Sequence, residues 1–81
     1  MTRVAIRMPN LGAEATTGNV VAWLRAVGDV VAVGDVIAEL ETEKATVEFE
    51  APAAGRIVEI AQPAGVDVKV GDVLAILEVD G

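Results

Sequence analysis

GDVVAVGDVIAELE, Gly28 to Glu41, is answered 37 residues later by GVDVKVGDVLAILE, Gly65 to Glu78. Gly28/Gly65, Val31/Val68, Val33/Val70, Gly34/Gly71, Asp35/Asp72, Val36/Val73 and Ala38/Ala75 are identical, and Ile37/Leu74 is a conservative exchange. The same displacement lays GNVVAW (Gly18 to Trp23) over GRIVEI (Gly55 to Ile60). A biased Val/Gly/Asp composition could produce scattered matches, but not readily this ordered run of them. With 81 residues the chain has room for one domain. The expectation is a single domain over residues 1–81 made of two similar halves, about 18–41 and 55–78, related by a pseudo-two-fold axis.

The type of element follows from what lies around the repeat. RVAIRM (Arg3 to Met8), NVVAWL (Asn19 to Leu24), VIAELET (Val36 to Thr42), ATVEFE (Ala45 to Glu50), RIVEIA (Arg56 to Ala61) and VLAILEV (Val73 to Val79) read as strands. VVAV (Val30 to Val33) and VDVKV (Val66 to Val70) read as shorter ones. Several alternate apolar with polar residues, as half-buried strands do, and β-branched valine favours the extended backbone. No segment sustains a 3.6-residue period, and Gly-Asp pairs interrupt the chain where a helix would have to continue. Six to eight short strands joined by tight turns predict an all-β sandwich or small barrel.

Composition narrows the function. The chain is 53% hydrophobic but only 2% aromatic, so the core must be built from Val, Ile, Leu and Ala. It contains no Cys, His, Tyr or Ser, which removes thiol chemistry, disulfides, zinc–thiolate sites and the usual Ser–His or Cys–His nucleophile pairs. The expectation is therefore a carrier or binding module with no catalytic residues and no metal site. A net charge of −7 argues against a nucleic-acid partner, because phosphate contacts need clustered Lys and Arg. No apolar run approaches the roughly 18 residues that cross a bilayer. The opening MTRVAIRMPN (Met1 to Asn10) lacks the apolar core of a signal peptide, so a cytosolic location is expected.

One stretch stands out chemically: ELETEKATVEFEA, Glu39 to Ala51, where five glutamates surround Lys44, the one basic residue between Arg25 and Arg56. Alternation sends Glu39, Glu41 and Glu43 to one face and Ala38, Leu40 and Thr42 to the other. On the outgoing strand Val47 and Phe49 face in while Glu48 and Glu50 face out. Inward parity meets inward parity only if the chain reverses at Glu43 and Lys44. Two-residue hairpin turns usually carry Asn-Gly, Asp-Gly or Gly-X. Glu-Lys in that place breaks a local rule, and such breaks concentrate at functional sites. The repeat sets this turn opposite the chain termini. A tip lysine is a poor general base, with an ordinary pKa of about 10.4 and carboxylates around it. As an acylation target for a partner enzyme it is well placed. From the residues alone it could equally be a solvated charge that offsets the glutamates.

From Met8 to Glu78 the chain resembles the lipoyl domain of the dihydrolipoamide acyltransferase component of 2-oxoacid dehydrogenase complexes. MPNLG (Met8 to Gly12), TGNVVAWL (Thr17 to Leu24), GDVVAVGD (Gly28 to Asp35), ELETEKA (Glu39 to Ala45), APAAG (Ala51 to Gly55) and the Gly65 to Asp72 block carry the likeness, in order and without large gaps. The resemblance implies a flattened β-barrel, or barrel-sandwich hybrid, of two four-stranded antiparallel sheets. It implies that Lys44 is joined by an amide to lipoic acid, placed there by a lipoate-attaching enzyme that reads Glu41, Glu43 and Ala45 around the turn. It further implies a swinging arm that visits a thiamine-diphosphate-dependent 2-oxoacid decarboxylase, an acyltransferase core and dihydrolipoamide dehydrogenase. The bacterial cytoplasm is then the expected compartment, rather than the mitochondrial matrix. The family's turn is most often Asp-Lys-Ala, and Glu43 departs from it by one methylene. Biotinyl carrier domains share the fold and the tip lysine but flank it with methionine, unlike Glu43 and Ala45. An unmodified barrel acting as an interaction module is the remaining alternative.

Other residues read more plainly. Gly34 and Gly71 precede Asp35 and Asp72 in repeated turns and serve the backbone. Trp23, whose repeat partner is Ile60, belongs to the core. Lys69 is a solvated strand residue. PNLGAEATT (Pro9 to Thr17) is the longest irregular stretch. By the resemblance it lies near the lysine, which makes Leu11, Glu14 and Ala15 candidates for partner recognition. The glutamates of the hairpin either steer basic partner surfaces or keep a sheet edge from aggregating.

Overall fold

The computed structural model describes residues 2–10, 16–42 and 45–80. Eight strands follow in order: β1 Thr2–Arg7, β2 Thr17–Trp23, β3 Val30–Val31, β4 Val36–Glu41, β5 Thr46–Glu50, β6 Gly55–Ile60, β7 Asp67–Lys69 and β8 Val73–Val79. They form two four-stranded antiparallel sheets, β1-β8-β6-β3 (sheet A) and β5-β4-β2-β7 (sheet B). Exchanging β1 with β5, β2 with β6, β3 with β7 and β4 with β8 turns one order into the other. That is the pseudo-two-fold relation expected from the repeat, and the body measures 36 × 20 × 19 Å.

The symmetry extends to single hydrogen bonds. Gly28 N donates to Ile57 O at 2.7 Å, and Gly65 N to Val20 O at 2.7 Å. Leu24 N donates to Ile37 O and Ala61 N to Leu74 O. The register shifts that mark β-bulges recur as well, between Val20 and Ala22 on β2 and between Ile57 and Glu59 on β6. Each bulge bends its strand at the same place in both halves, which is how eight short strands close around so small a core.

Four glycines hold positive φ: Gly28 at 99°, Gly34 at 90°, Gly65 at 88° and Gly71 at 93°. They are two repeat-related pairs, and an L side chain would be strained at each. The turns they serve are locked by aspartates. Asp29 Oδ2 accepts from Ala26 N at 2.8 Å, and Asp35 Oδ2 from Ala32 N at 2.9 Å. The second of these turns ends β3 at Val31, so the strand expected over Val30 to Val33 is only two residues long. Gly55 is needed for another reason: a Cβ there would lie 2.5 Å from the Glu78 carbonyl oxygen.

The core obeys the same pairing. Val20/Ile57, Val31/Val68, Ile37/Leu74, Ala38/Ala75 and Leu40/Leu77 are all buried. So are Met8 and Ala51, which are equivalent at a displacement of 43 residues rather than 37. Both make the same two bonds, Met8 N to Asp72 O with Gly71 N to Met8 O, and Ala51 N to Asp35 O with Gly34 N to Ala51 O. The first half therefore carries six more residues between Met8 and Gly18 than the second half does between Ala51 and Gly55. Trp23 is half-buried against the core and donates Nε1–H to Gln62 O at 2.8 Å, as an indole at a core margin must. Lys69 is exposed on β7.

Candidate functional site

Two neighbouring strands of sheet B lead to the segment that carries Lys44. β4 alternates Ile37, a bulge, then Ala38 and Leu40 inward against Glu39 and Glu41 outward. β5 returns with Val47 and Phe49 packed toward the core and Thr46, Glu48 and Glu50 exposed. The rungs are Ala38 with Phe49, Glu39 with Glu48, Leu40 with Val47 and Glu41 with Thr46. Thr42 N donates to Ala45 O at 2.9 Å and closes the ladder. The connection between those two residues is thus the two-residue Glu43-Lys44, as the alternation required. Lys44 and Glu43 themselves lie outside the described residues, and so do Leu11, Glu14 and Ala15.

The described surroundings are polar and open. Ala45, Glu41 and Thr46 are exposed. The Thr46 hydroxyl donates to Glu41 Oε2 at 3.3 Å across the rung. On the other side of β4, Asn19 stands opposite Glu41, and its amide donates to Asp67 Oδ1 at 3.1 Å. A row of Thr46, Glu41, Asn19 and Asp67 therefore crosses all four strands of sheet B at the foot of the connection. Thr46 and Asn19 were not singled out from sequence, although a two-residue turn at Glu43-Lys44 is enough to put Thr46 opposite Glu41.

The long irregular stretch enters and leaves at this end of the sheets. Met8, just before it, is bonded to Gly71 and Asp72, and Thr16 O accepts from Val70 N at 3.0 Å. Arg7 Nη1 donates to Gly71 O at 2.8 Å beside the same turn. Both feet of the stretch are thus pinned to one turn, Val70 to Asp72. Thr17 to Asn19 then pair with β7 on one side, and Asn19 with β4 on the other. The opposite end holds Thr2 and Val79, which pair with each other, and a shallow depression lined by Val31, Gly55, Arg56, Glu78 and Asp80. Among the described residues no group of three His, Cys, Asp or Glu converges as a metal site.

An arm attached by an amide needs an amine that solvent and a partner enzyme can reach. Flanks that are exposed at the end of a β-ladder, on a short connection, fit that requirement.

Residues 4–77 match the family whose description reads Biotin-requiring enzyme. The dihydrolipoyllysine-residue acetyltransferase component of the pyruvate dehydrogenase complex of Rhizobium meliloti is 46% identical over 79 residues, 96% of this chain and 18% of that protein. The dihydrolipoyllysine-residue succinyltransferase component of the 2-oxoglutarate dehydrogenase complex of Bartonella vinsonii is 40% identical over 73 residues, 90% of this chain and again 18% of that protein. The chain thus spans less than a fifth of the length of either relative. Among solved structures, the lipoyl domain of the 2-oxoglutarate dehydrogenase complex from Azotobacter vinelandii superposes with a TM-score of 0.80 at 31% identity, covering 96% of this chain and 99% of that one. A single-chain, multi-domain long-chain acyl-CoA carboxylase superposes with a TM-score of 0.81 at 25% identity, over 98% of this chain and 7% of the other.

Proposed function

The chain belongs to the family of biotin- and lipoyl-attachment domains, and from that premise we propose that it is a lipoyl carrier domain of a 2-oxoacid dehydrogenase acyltransferase, modified on Lys44. The observation that carries the reading is the closure of the β4–β5 ladder from Thr42 to Ala45, which leaves Glu43-Lys44 as a two-residue connection at an exposed end. Lipoic acid, joined through an amide to the Lys44 amine, supplies a redox-active dithiolane that carries electrons and acyl groups.

The work of the chain's own residues is display. The paired cores of the two sheets, Leu40 with Leu77 and Ile37 with Leu74 among them, give the connection a rigid base. The rungs Leu40–Val47 and Glu41–Thr46 fix its direction. With no His, Cys, Ser or Tyr in the chain, bond-making falls to the partners. These are a lipoate-attaching enzyme, a thiamine-diphosphate-dependent decarboxylase, an acyltransferase core and dihydrolipoamide dehydrogenase, in a bacterial cytoplasm. Tethering raises the arm's effective concentration at each active site, so each encounter becomes intramolecular. The residues of the Leu11–Ala15 stretch, Leu11, Glu14 and Ala15, then help partners discriminate, since both feet of that stretch are bonded beside the β7–β8 turn at the same end of the sheets.

Biotin attachment is the second reading, favoured by the family's description and by the likeness to the carboxylase. Glu43 and Ala45 beside the lysine and the lipoyl names of the relatives favour lipoate. Intact-mass measurement after separate incubation with a lipoate ligase and a biotin ligase decides between them. A lipoyl-sized gain on the peptide containing Lys44, lost in Lys44→Arg, is the expected result. A biotin-sized gain, or a lipoyl gain that survives Lys44→Arg, would refute the assignment.

A further inference from the structure

Glu41 and Glu78 are equivalent residues of the two halves, and their surroundings differ. Glu78 faces Arg3 on β1 and Arg56 on β6, and Arg3 Nε lies 3.6 Å from its carboxylate. Its charge is offset by the Arg3 guanidinium, while Arg56 Nη1 donates to Gly28 O at 3.4 Å. Glu41 faces Thr46 on β5 and Asn19 on β2. The Asn19 amide is turned away to Asp67, so among the described residues the side chain that donates to Glu41 is Thr46, through Oε2. A neutral hydroxyl orients the carboxylate without neutralising it.

Glu41 is also one rung from the Thr42–Ala45 closure, so an enzyme working on the Lys44 amine must cover it. We propose that Thr46 is a positioning residue for the attachment reaction: it holds Glu41 so that the second carboxylate oxygen is presented to an N–H donor or cation on the attaching enzyme. This rests on the reading of Lys44 as the attachment site. Immobilising a Glu side chain on docking costs rotamer entropy, and a carboxylate already held by a cross-strand hydroxyl loses less. A charged acceptor also makes a stronger hydrogen bond than a neutral one.

Initial rates of lipoyl transfer to the domain by a lipoate ligase with lipoic acid and ATP, followed by intact mass with thermal unfolding in parallel, test the idea. Thr46→Val keeps the β-branched shape and the strand but removes the hydroxyl. It should lower kcat/KM about three- to tenfold, through KM, with the unfolding temperature unchanged. Thr46→Ser should restore the rate. Thr46→Arg, which copies the Arg3–Glu78 arrangement, should lower it at least as far as Val. In a Glu41→Gln background Thr46→Val should add little, because the two residues act as one unit. A wild-type rate in Thr46→Val, or an undiminished Thr46→Val effect in the Glu41→Gln background, overturns the proposal. A wild-type domain that accepts no lipoyl group at Lys44 would overturn the attachment reading itself, and this one with it.

Discussion

In the β4–β5 hairpin Glu41 stands opposite Thr46; in the β8–β1 pair Glu78 stands opposite Arg3. One rung further out the hairpin closes from Thr42 to Ala45, while the other pair ends at Thr2 and Val79. The backbone of these two regions is one design used twice, at opposite ends of the molecule. What differs is the outer face. β1 and β6 present Arg3, Arg7 and Arg56 beside Glu78 and Glu59, whereas β4 and β5 present Glu39, Glu41, Glu48 and Glu50. Residues shared by the halves build the barrel. Residues that differ set apart the end that we propose carries the attached group.

The sharpest test of the shared part is in the core. Leu40 and Leu77 are both completely buried and occupy equivalent sites. Leu40→Ala and Leu77→Ala should each cost about 2–5 kcal/mol, and by similar amounts, since the cavities left have equivalent walls. Urea or thermal unfolding reads both. A domain of this size has only about 5–15 kcal/mol in total, so either loss will be conspicuous. A large disparity between the two would break the equivalence of the halves.

How much of this could be read in advance follows from which residues repeat. Gly34/Gly71 announced their turns because positive φ admits little else, whereas Gly28/Gly65, Val31/Val68 and Ile37/Leu74 showed only as matches of the repeat. The Met8–Ala51 equivalence was hidden, because six extra residues shift the displacement and because Met and Ala look nothing alike. The bulges beyond Val20 and Ile57 were hidden too: Val21 and Val58 suit a regular strand, and the extra residue is imposed by curvature rather than by residue type. At the site, alternation of Leu40, Glu41, Val47 and Glu48 was enough to find the reversal at Glu43-Lys44. The hydroxyl–carboxylate bond of Thr46 was not legible, because a threonine in a strand usually reports β-propensity alone.

A smaller effect probes the unshared part. Glu39 and Glu48 are directly opposite on sheet B, a like-charge pair that the equivalent positions on sheet A, Ile76 and Ala5, avoid. Glu48→Lys should convert repulsion into attraction and stabilise the fold by about 0.2–1 kcal/mol. The gain should shrink as salt is added, because Glu48 is exposed and Glu39 is only half-buried. The corresponding Ala5→Lys change on sheet A faces Ile76 and should do little. If the two substitutions behave alike, the charge contrast between the sheets has no energetic content.

The smallest change in stability should come from the most drastic rearrangement of the chain. Thr2 and Val79 already form a rung, so fusing Gly81 directly to Met1 creates the connection Asp80-Gly81-Met1, and Asp-Gly is a favourable hairpin sequence. Opening the chain between Glu43 and Lys44 then exchanges the two ends: the former tip becomes the termini and the former termini become a tip. Because one short hairpin loop is traded for another, closure entropy nearly cancels. The permuted domain should unfold within a few degrees of the parent, about 4–8 °C being what 1 kcal/mol would cause at this size. Lipoyl transfer, by contrast, should collapse, because Lys44 no longer sits on a closed connection between Thr42 and Ala45. A permutant that unfolds far earlier would show that the two ends are not interchangeable as structure. One that is still lipoylated at the parental rate would show that the closed turn was never what the attaching enzyme reads.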